Sequence, residues 1–186
     1  MDLLQHHCIA ARANRLANRR LHAAVARLTR DDFHATRTSF FPSLAQTMNH
    51  ILSVDVYYID ALEGVADMVA RYDTFVSADT LQELAYRQRL SDERLIMVCD
   101  RLDAEAIDPV VTMDRGEGKQ QRDRAGHVLA HLFMHQTHHR GQVHAMLAGT
   151  QVKPPQLDEF LMPSDAPFRV NDMRDLGWNE ESVYGA

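Results

Sequence analysis

The sequence predicts an all-α fold: a four-helix bundle with a short extended crossover before the last bundle helix and a C-terminal tail that wraps over it. Three observations lead there. Long stretches without glycine or proline alternate with short punctuated ones, the pattern of a few long helices joined by loops. Within the long stretches apolar residues return every three or four positions. Most of the prolines fall after Lys153, beyond the last long stretch. At 186 residues, 45% of them hydrophobic, the chain has the length and apolar content of a single domain, with a core over about 1–150 and a tail over 151–186.

The first helix is expected from Leu3 to Leu28, with Leu21, Val25 and Leu28 at helical spacing. "TRDDFHATRTSF" breaks the pattern. The second begins near "SFFPS", where Pro42 suits a first turn, and runs to Leu62 ahead of Gly64. The third opens at Thr80, with Glu83 three residues on as in a capping box, and continues to Leu102. Its stripe Leu81, Leu84, Gln88, Ser91, Leu95, Val98, Leu102 alternates steps of three and four, as a bundle-facing seam does. In "DPVVTMDRGEGKQQ", Val110 to Met113 favours extended backbone and Gly116 with Gly118 favours a turn, so a short strand or extended crossover is expected. The fourth helix follows over Gln121–Ala148 and stops at Gly149. Gly141 in its middle costs about 1 kcal/mol against alanine, which suggests close approach of another helix or of the tail. A short helix is expected within "KPPQLDEFLMPSDAPFRVNDMRDLGW".

Composition narrows the function. A net charge of -6 and a pI near 6.0 argue against a nucleic-acid binder, which usually carries a basic face. Cys8 and Cys99 lack CxxC spacing, which excludes a disulfide scaffold and a sulfur-rich metal site and fits a reducing compartment. The N-terminus is polar and rich in arginine without a signal-peptide core, and no apolar run has membrane length. A cytoplasmic protein that engages neither nucleic acid nor membrane is the expectation.

The stretch "HLFMHQTHHRGQVHAML", His131 to Leu147, holds five of the eleven histidines. At about 100° per residue, Val128, Leu132, His135, His139, Val143 and Met146 share one narrow sector, so two histidines sit where leucine or valine would be expected. A buried imidazole left unpaired costs on the order of 1–3 kcal/mol. Either each ring finds a polar partner in the bundle, or the i, i+4 pair points its nitrogens at one cation, as neutral histidine does for zinc, nickel or iron. A third ligand is then needed. His50 in "QTMNHILSVDVYYIDAL" is the natural one, on a sector with Thr47, Val54, Tyr58 and Ala61. Three imidazoles would leave one or two positions open, the form of a catalytic site. His131 flanks the stripe as a possible outer partner or fourth ligand, and His144 falls toward solvent.

"SFFPSLAQTMNHILSVDVYYIDALEG" and "HLFMHQTHHRGQVHAML", together with "RANRLANRRL" and "VVTMDRGEGKQ", closely resemble the DinB family, also called DinB/YfiT-like metalloenzymes. The resemblance covers most of the chain and weakens after Gln151. It implies a four-helix bundle holding a metal on three histidines, one from the "NH" of the second helix and two from the HxxxH before "RGQ". Those positions are His50, His135 and His139. Leu16 stands where many members carry an aromatic between the two asparagines. Asn14 and Asn18 could orient a ligand, although hydrogen bonding between helices is the favoured reading. Asp55 could hydrogen-bond a histidine or join a structural ion pair, and Arg140 could clamp an anionic substrate or serve as a salt-bridge partner.

The family includes proteins resembling thiol-dependent S-transferases and a mycothiol-dependent isomerase. The expectation is therefore a divalent ion, zinc or nickel first and iron or manganese next, that activates a low-molecular-weight thiol or water for S-transfer or hydrolysis on a small electrophile. The rival is a non-catalytic metal-binding stress-response protein. A homodimer is also expected, through a sector holding His127, Met134, His138 and Ala145.

Overall fold

Residues 2–102 and 109–185 are described by the computed structural model, and most of them are helical. Helix α1 spans Leu3–Val25 and is capped by Asp2, whose side chain accepts from the Gln5 N–H. It stops short of the expected Leu28. Thr29 accepts from the Asp32 N–H and so opens a separate short helix, α2 (Arg30–His34), while Leu28 stays buried in the connecting turn. Helix α3 (Leu44–Glu63) is capped by Ser43, which accepts from the Gln46 N–H, and Gly64 closes it in the left-handed conformation at φ 72°. Pro42 is outside the helix rather than in its first turn, and its carbonyl accepts from the Arg37 N–H at 2.8 Å. After α4 (Met68–Asp73), α5 (Leu81–Asp100) opens at Thr80, whose side chain accepts from the Glu83 N–H as the sequence predicts. Leu84, Gln88, Ser91, Leu95 and Val98 of its stripe are buried.

The crossover departs from an all-helical reading. Strands β1 (Val110–Asp114) and β2 (Gln120–Arg124) form an antiparallel hairpin, with Val110 opposite Arg124 and Asp114 opposite Gln120. Gly116 and Gly118 take the left-handed φ values of its turn, 78° and 73°. Asp108, the first residue of the quoted crossover, lies outside the described residues. Because Gln120–Arg124 is taken up by the hairpin, α6 begins at Ala125 and runs to Ala148 rather than starting at Gln121. Gly141 has open space where a Cβ would stand, so the close approach suggested by its sequence position is not found.

Helix α1 packs on α5 and α6, and α3 packs on the same two. Their apolar faces meet around Leu21, Leu52, Leu84 and Val143 toward one end and around Ile59, Leu95, Met113 and Leu129 toward the other. The tail carries a 3-10 turn at Pro163–Asp165 followed by α7 (Ala166–Leu176) and α8 (Glu180–Tyr184). Phe160, Met173, Val183 and Tyr184 close over Ile9, Leu16 and Ala17 of α1. Arg169 is fully buried there, donating to Glu180 and to the carbonyls of Glu159 and Met162. Among the described residues no helix is long and apolar enough to cross a membrane.

Candidate metal centre

Helix α3 brings His50, and α6 brings His135 and His139, to one point where a nitrogen from each ring lies within 4.8 Å of the others. The i, i+4 spacing sets the two α6 rings edge-on, with centroids 4.4 Å apart, and the α3–α6 packing sets His50 at 4.6 Å from His139 and 5.0 Å from His135. The Nε2 atoms of His50 and His135 are 3.1 Å apart, close to the separation of two nitrogens each about 2.0–2.1 Å from a tetrahedral ion. Two facing imidazole nitrogens can share one proton at most, whereas a shared cation satisfies both lone pairs. The donor set therefore fits a borderline divalent metal.

His139 is oriented by its neighbour one turn on. Its Nδ1 lies 2.8 Å from Gln142 Oε1, and the Gln142 amide nitrogen lies 3.2 Å from His138 Nε2. With that amide placement Nδ1 of His139 donates, which leaves the Nε2 lone pair for a ligand bond. Phe41 covers the outer side, 4.3 Å from the His50 ring and 5.8 Å from that of His139. Burial, followed by the charges of His139, His50, His131 and His138, pushes His135 down to about 3. Burial and His139 also lower His50, and burial lowers His139 against the opposing pull of Gln142. Each shift favours the neutral imidazole, the form that binds metal.

The cluster forms part of the wall of an open cavity of about 450 Å³. Val54, Tyr57, Tyr58, Val69 and Tyr72 supply an aromatic and apolar surface, and Asp73, Asp114 and Arg115 supply the charges. Tyr57 is fixed by its hydroxyl, which donates to the Asp114 carbonyl at 2.7 Å. His131 also lines the cavity, edge-on to Tyr58 at 5.2 Å and 6.4 Å by ring centroid from His135.

The other sequence candidates are drawn away from the metal. Arg140 is buried and donates to Asn14, to Asn18 at 3.1 Å and to Gln136 at 3.0 Å. Asn18 in turn donates to Asp92 at 2.8 Å. Asp55, 1% exposed, accepts from Gln88 at 2.7 Å and from Gln136. Burial raises the Asp55 carboxyl well above its usual range and pushes Asp92 up to about 6. Burial also pulls Arg140 down to about 10, which leaves it charged at neutral pH. These groups tie α1, α3, α5 and α6 together and none of them lines the cavity, so Arg140 is not placed to clamp a substrate there. His144 is half-buried rather than solvated, its Nε2 3.1 Å from the Pro155 carbonyl. Burial raises both cysteine thiols, Cys99 to about 12, so neither is a ready nucleophile.

Sequence reasoning missed Arg115 and Phe41 and gave Gln142 no part. Gln142 was the legible one, since i+3 from His139 is the same face of a helix. Arg115 reaches the cavity only through the hairpin, and Phe41 only through the loop before α3.

A mostly helical protein with three imidazoles converging on an open cavity is a candidate metal-binding protein. The DinB family pattern matches residues 5–172, and the chain belongs to the DinB family. It is similar to "Protein DinB" of Bacillus subtilis (strain 168), 21% identical over 137 residues that cover 70% of this chain and 78% of the relative.

Proposed function

We propose that the protein is a metal-dependent transferase or hydrolase, acting with a low-molecular-weight thiol or water on a small electrophile. His50, His135 and His139 would hold the ion, zinc or nickel first and iron or manganese next. The observation that carries this reading is the opening of the three-histidine cluster onto a cavity of about 450 Å³. A bound divalent cation supplies Lewis acidity and lowers the pKa of a coordinated water or thiol. The protein's own groups would do the rest: burial favours the neutral imidazoles, Gln142 orients the His139 ring, and Phe41 packs on the rings of His50 and His139. Helices α1, α3, α5 and α6, read as one four-helix bundle domain with the tail as its outer wrap, form the frame in a cytoplasmic protein. The sector holding His127, Met134, His138 and Ala145 would serve a homodimer; all four are exposed, Met134 at 69%.

A non-catalytic metal-binding protein is the second reading, and it would be favoured by a closed shell of four protein ligands. Asp55 is engaged elsewhere and His131 stands apart from the cluster, which favours the open site. Metal analysis of purified wild type and His135→Ala, with a thiol-conjugation and hydrolysis screen over small electrophiles, tests both. The expected result is one ion per wild-type chain, none in the variant, and turnover that follows the ion. A variant that keeps a stoichiometric ion overturns the ligand set, and metal without turnover moves the protein to the second reading.

A further inference from the structure

We propose that Arg115 is the anion-recognition residue of the cavity, and that the electrophile the cavity admits is a small carboxylate with an apolar body. This rests on the reading above that the cavity is the substrate site. Among the described residues lining it, Arg115 is the one lysine or arginine. Its Nε donates to Gln121 Oε1 at 2.9 Å. Its guanidinium carbon lies 5.4 Å from the Tyr57 ring and 5.9 Å from the Tyr58 ring. Among the described residues those two tyrosines and Gln121, rather than a carboxylate, are its side-chain partners. The hairpin turn thus holds a planar cation against an aromatic wall with its charge unneutralised, which is the arrangement that receives a carboxylate through two parallel hydrogen bonds.

The acids nearby do not cancel it. Asp114 Oδ1 accepts from the Gly116 N–H at 2.8 Å and so belongs to the turn, and Asp73 is exposed. With a divalent ion on the neutral imidazoles, two charges from the ion and one from Arg115 meet one each from Asp73 and Asp114, so the lining carries an excess positive charge. Val54, Val69, Tyr57, Tyr58 and Tyr72 would enclose the apolar body. A second chamber of about 240 Å³ shares Tyr58, Arg115 and His131 with the first. Arg115 therefore lines both, and Asp123 on the wall of the second makes the first the one that suits an anion.

Calorimetric titration of phenylacetate against its neutral isostere phenylacetamide tests the assignment, in zinc-loaded and in metal-free protein. In the zinc-loaded wild type the acid should bind about tenfold or more tighter than the amide, since a hydrogen-bonded charge is worth at least that factor. The preference should persist, though smaller, without zinc, should vanish in Arg115→Gln, and should be partly kept in Arg115→Lys, which lacks the planar fork. Each variant is checked for an unchanged melting temperature and one zinc per chain. Equal binding of acid and amide, a preference that survives Arg115→Gln, or no acid binding at millimolar concentration overturns the proposal. Failure of the wild type to take up zinc would count against the metal reading alone, because the metal-free titration still reports on Arg115.

Discussion

Replacing Arg140 by methionine removes a buried cation whose charge acts on both Asp55 and Asp92 while keeping an unbranched chain of similar length. The wild-type guanidinium donates to Asn14, Asn18 and Gln136, and without it Asp92 keeps its bonds from Asn18 and Gln88 but faces only the more distant charge of Arg15, at 3.6 Å. Leaving buried acceptors without their donor costs about 1–3 kcal/mol each, so the loss of three such bonds together with a charge near two buried carboxyl groups should cost about 3–5 kcal/mol, a large part of the roughly 5–15 kcal/mol that stabilises an ordinary domain. At roughly 2–4 °C per kcal/mol for a chain of this size, the melting temperature should fall by about 6–20 °C. The loss should also depend on pH. Without the cation both carboxyl groups hold their protons more tightly in the fold, so the deficit is greatest near pH 8 and shrinks toward about pH 5. Urea unfolding followed by far-UV circular dichroism measures it, with Asp92→Asn as the second arm of a double-mutant cycle. A loss below about 1 kcal/mol, or one that is independent both of pH and of Asp92, would show that Arg140 merely fills space.

Three further outcomes are expected. Asp92 titrates at about 6 in the fold against an ordinary 3.8, so its contribution to stability is complete below about 4 and is lost as pH rises through about 6, by roughly 3 kcal/mol; Asp92→Asn should flatten the urea midpoint across that window, and an unaltered slope would contradict the buried charge. Gln142→Leu frees the His139 ring to rotate and should weaken metal binding by about 10–100-fold with little change in melting temperature, read by competition with a chromophoric chelator; equal affinity would remove Gln142 from the site. Arg169→Met leaves Glu180 and the carbonyls of Glu159 and Met162 without their donor, and should speed proteolytic loss of the segment after Val152 while α1, α3, α5 and α6 remain protected. Wild-type resistance at that segment would show that the tail is held by its apolar contacts alone.

The parts of the molecule that were legible in the sequence are those where a local rule and the packing agree. The Thr80 cap and the stripe from Leu84 to Val98 obey helix geometry and also face the core. The pair His135 and His139 was visible because it interrupts an apolar stripe, and His50 because it is the one histidine on its helix. Strand β2 was not legible, since "QQRDR" has neither β-branched nor aromatic residues and takes its form from pairing with β1. The same oversight moved the start of α6 and hid Arg115, whose position depends on the hairpin. Arg140 read as a clamp for an anionic substrate or as a salt-bridge partner; its actual bonds run to Asn14 and Asn18 on α1, more than a hundred residues away in the chain.

Helices α3 and α6 are joined twice, through His50 against His135 and His139 on one side and through Asp55 against Gln136 on the other. Adjacent residues of α6, His135 and Gln136, thus grip α3 from opposite flanks, like the two jaws of a vice. Sliding one helix past the other by a turn, about 5.4 Å, would open both jaws together. The polar jaw needs no ion, so chelation should strip the metal and leave a folded chain with its rings still poised. Uptake then resembles a key entering a cut lock, unlike small zinc modules that fold around their ion.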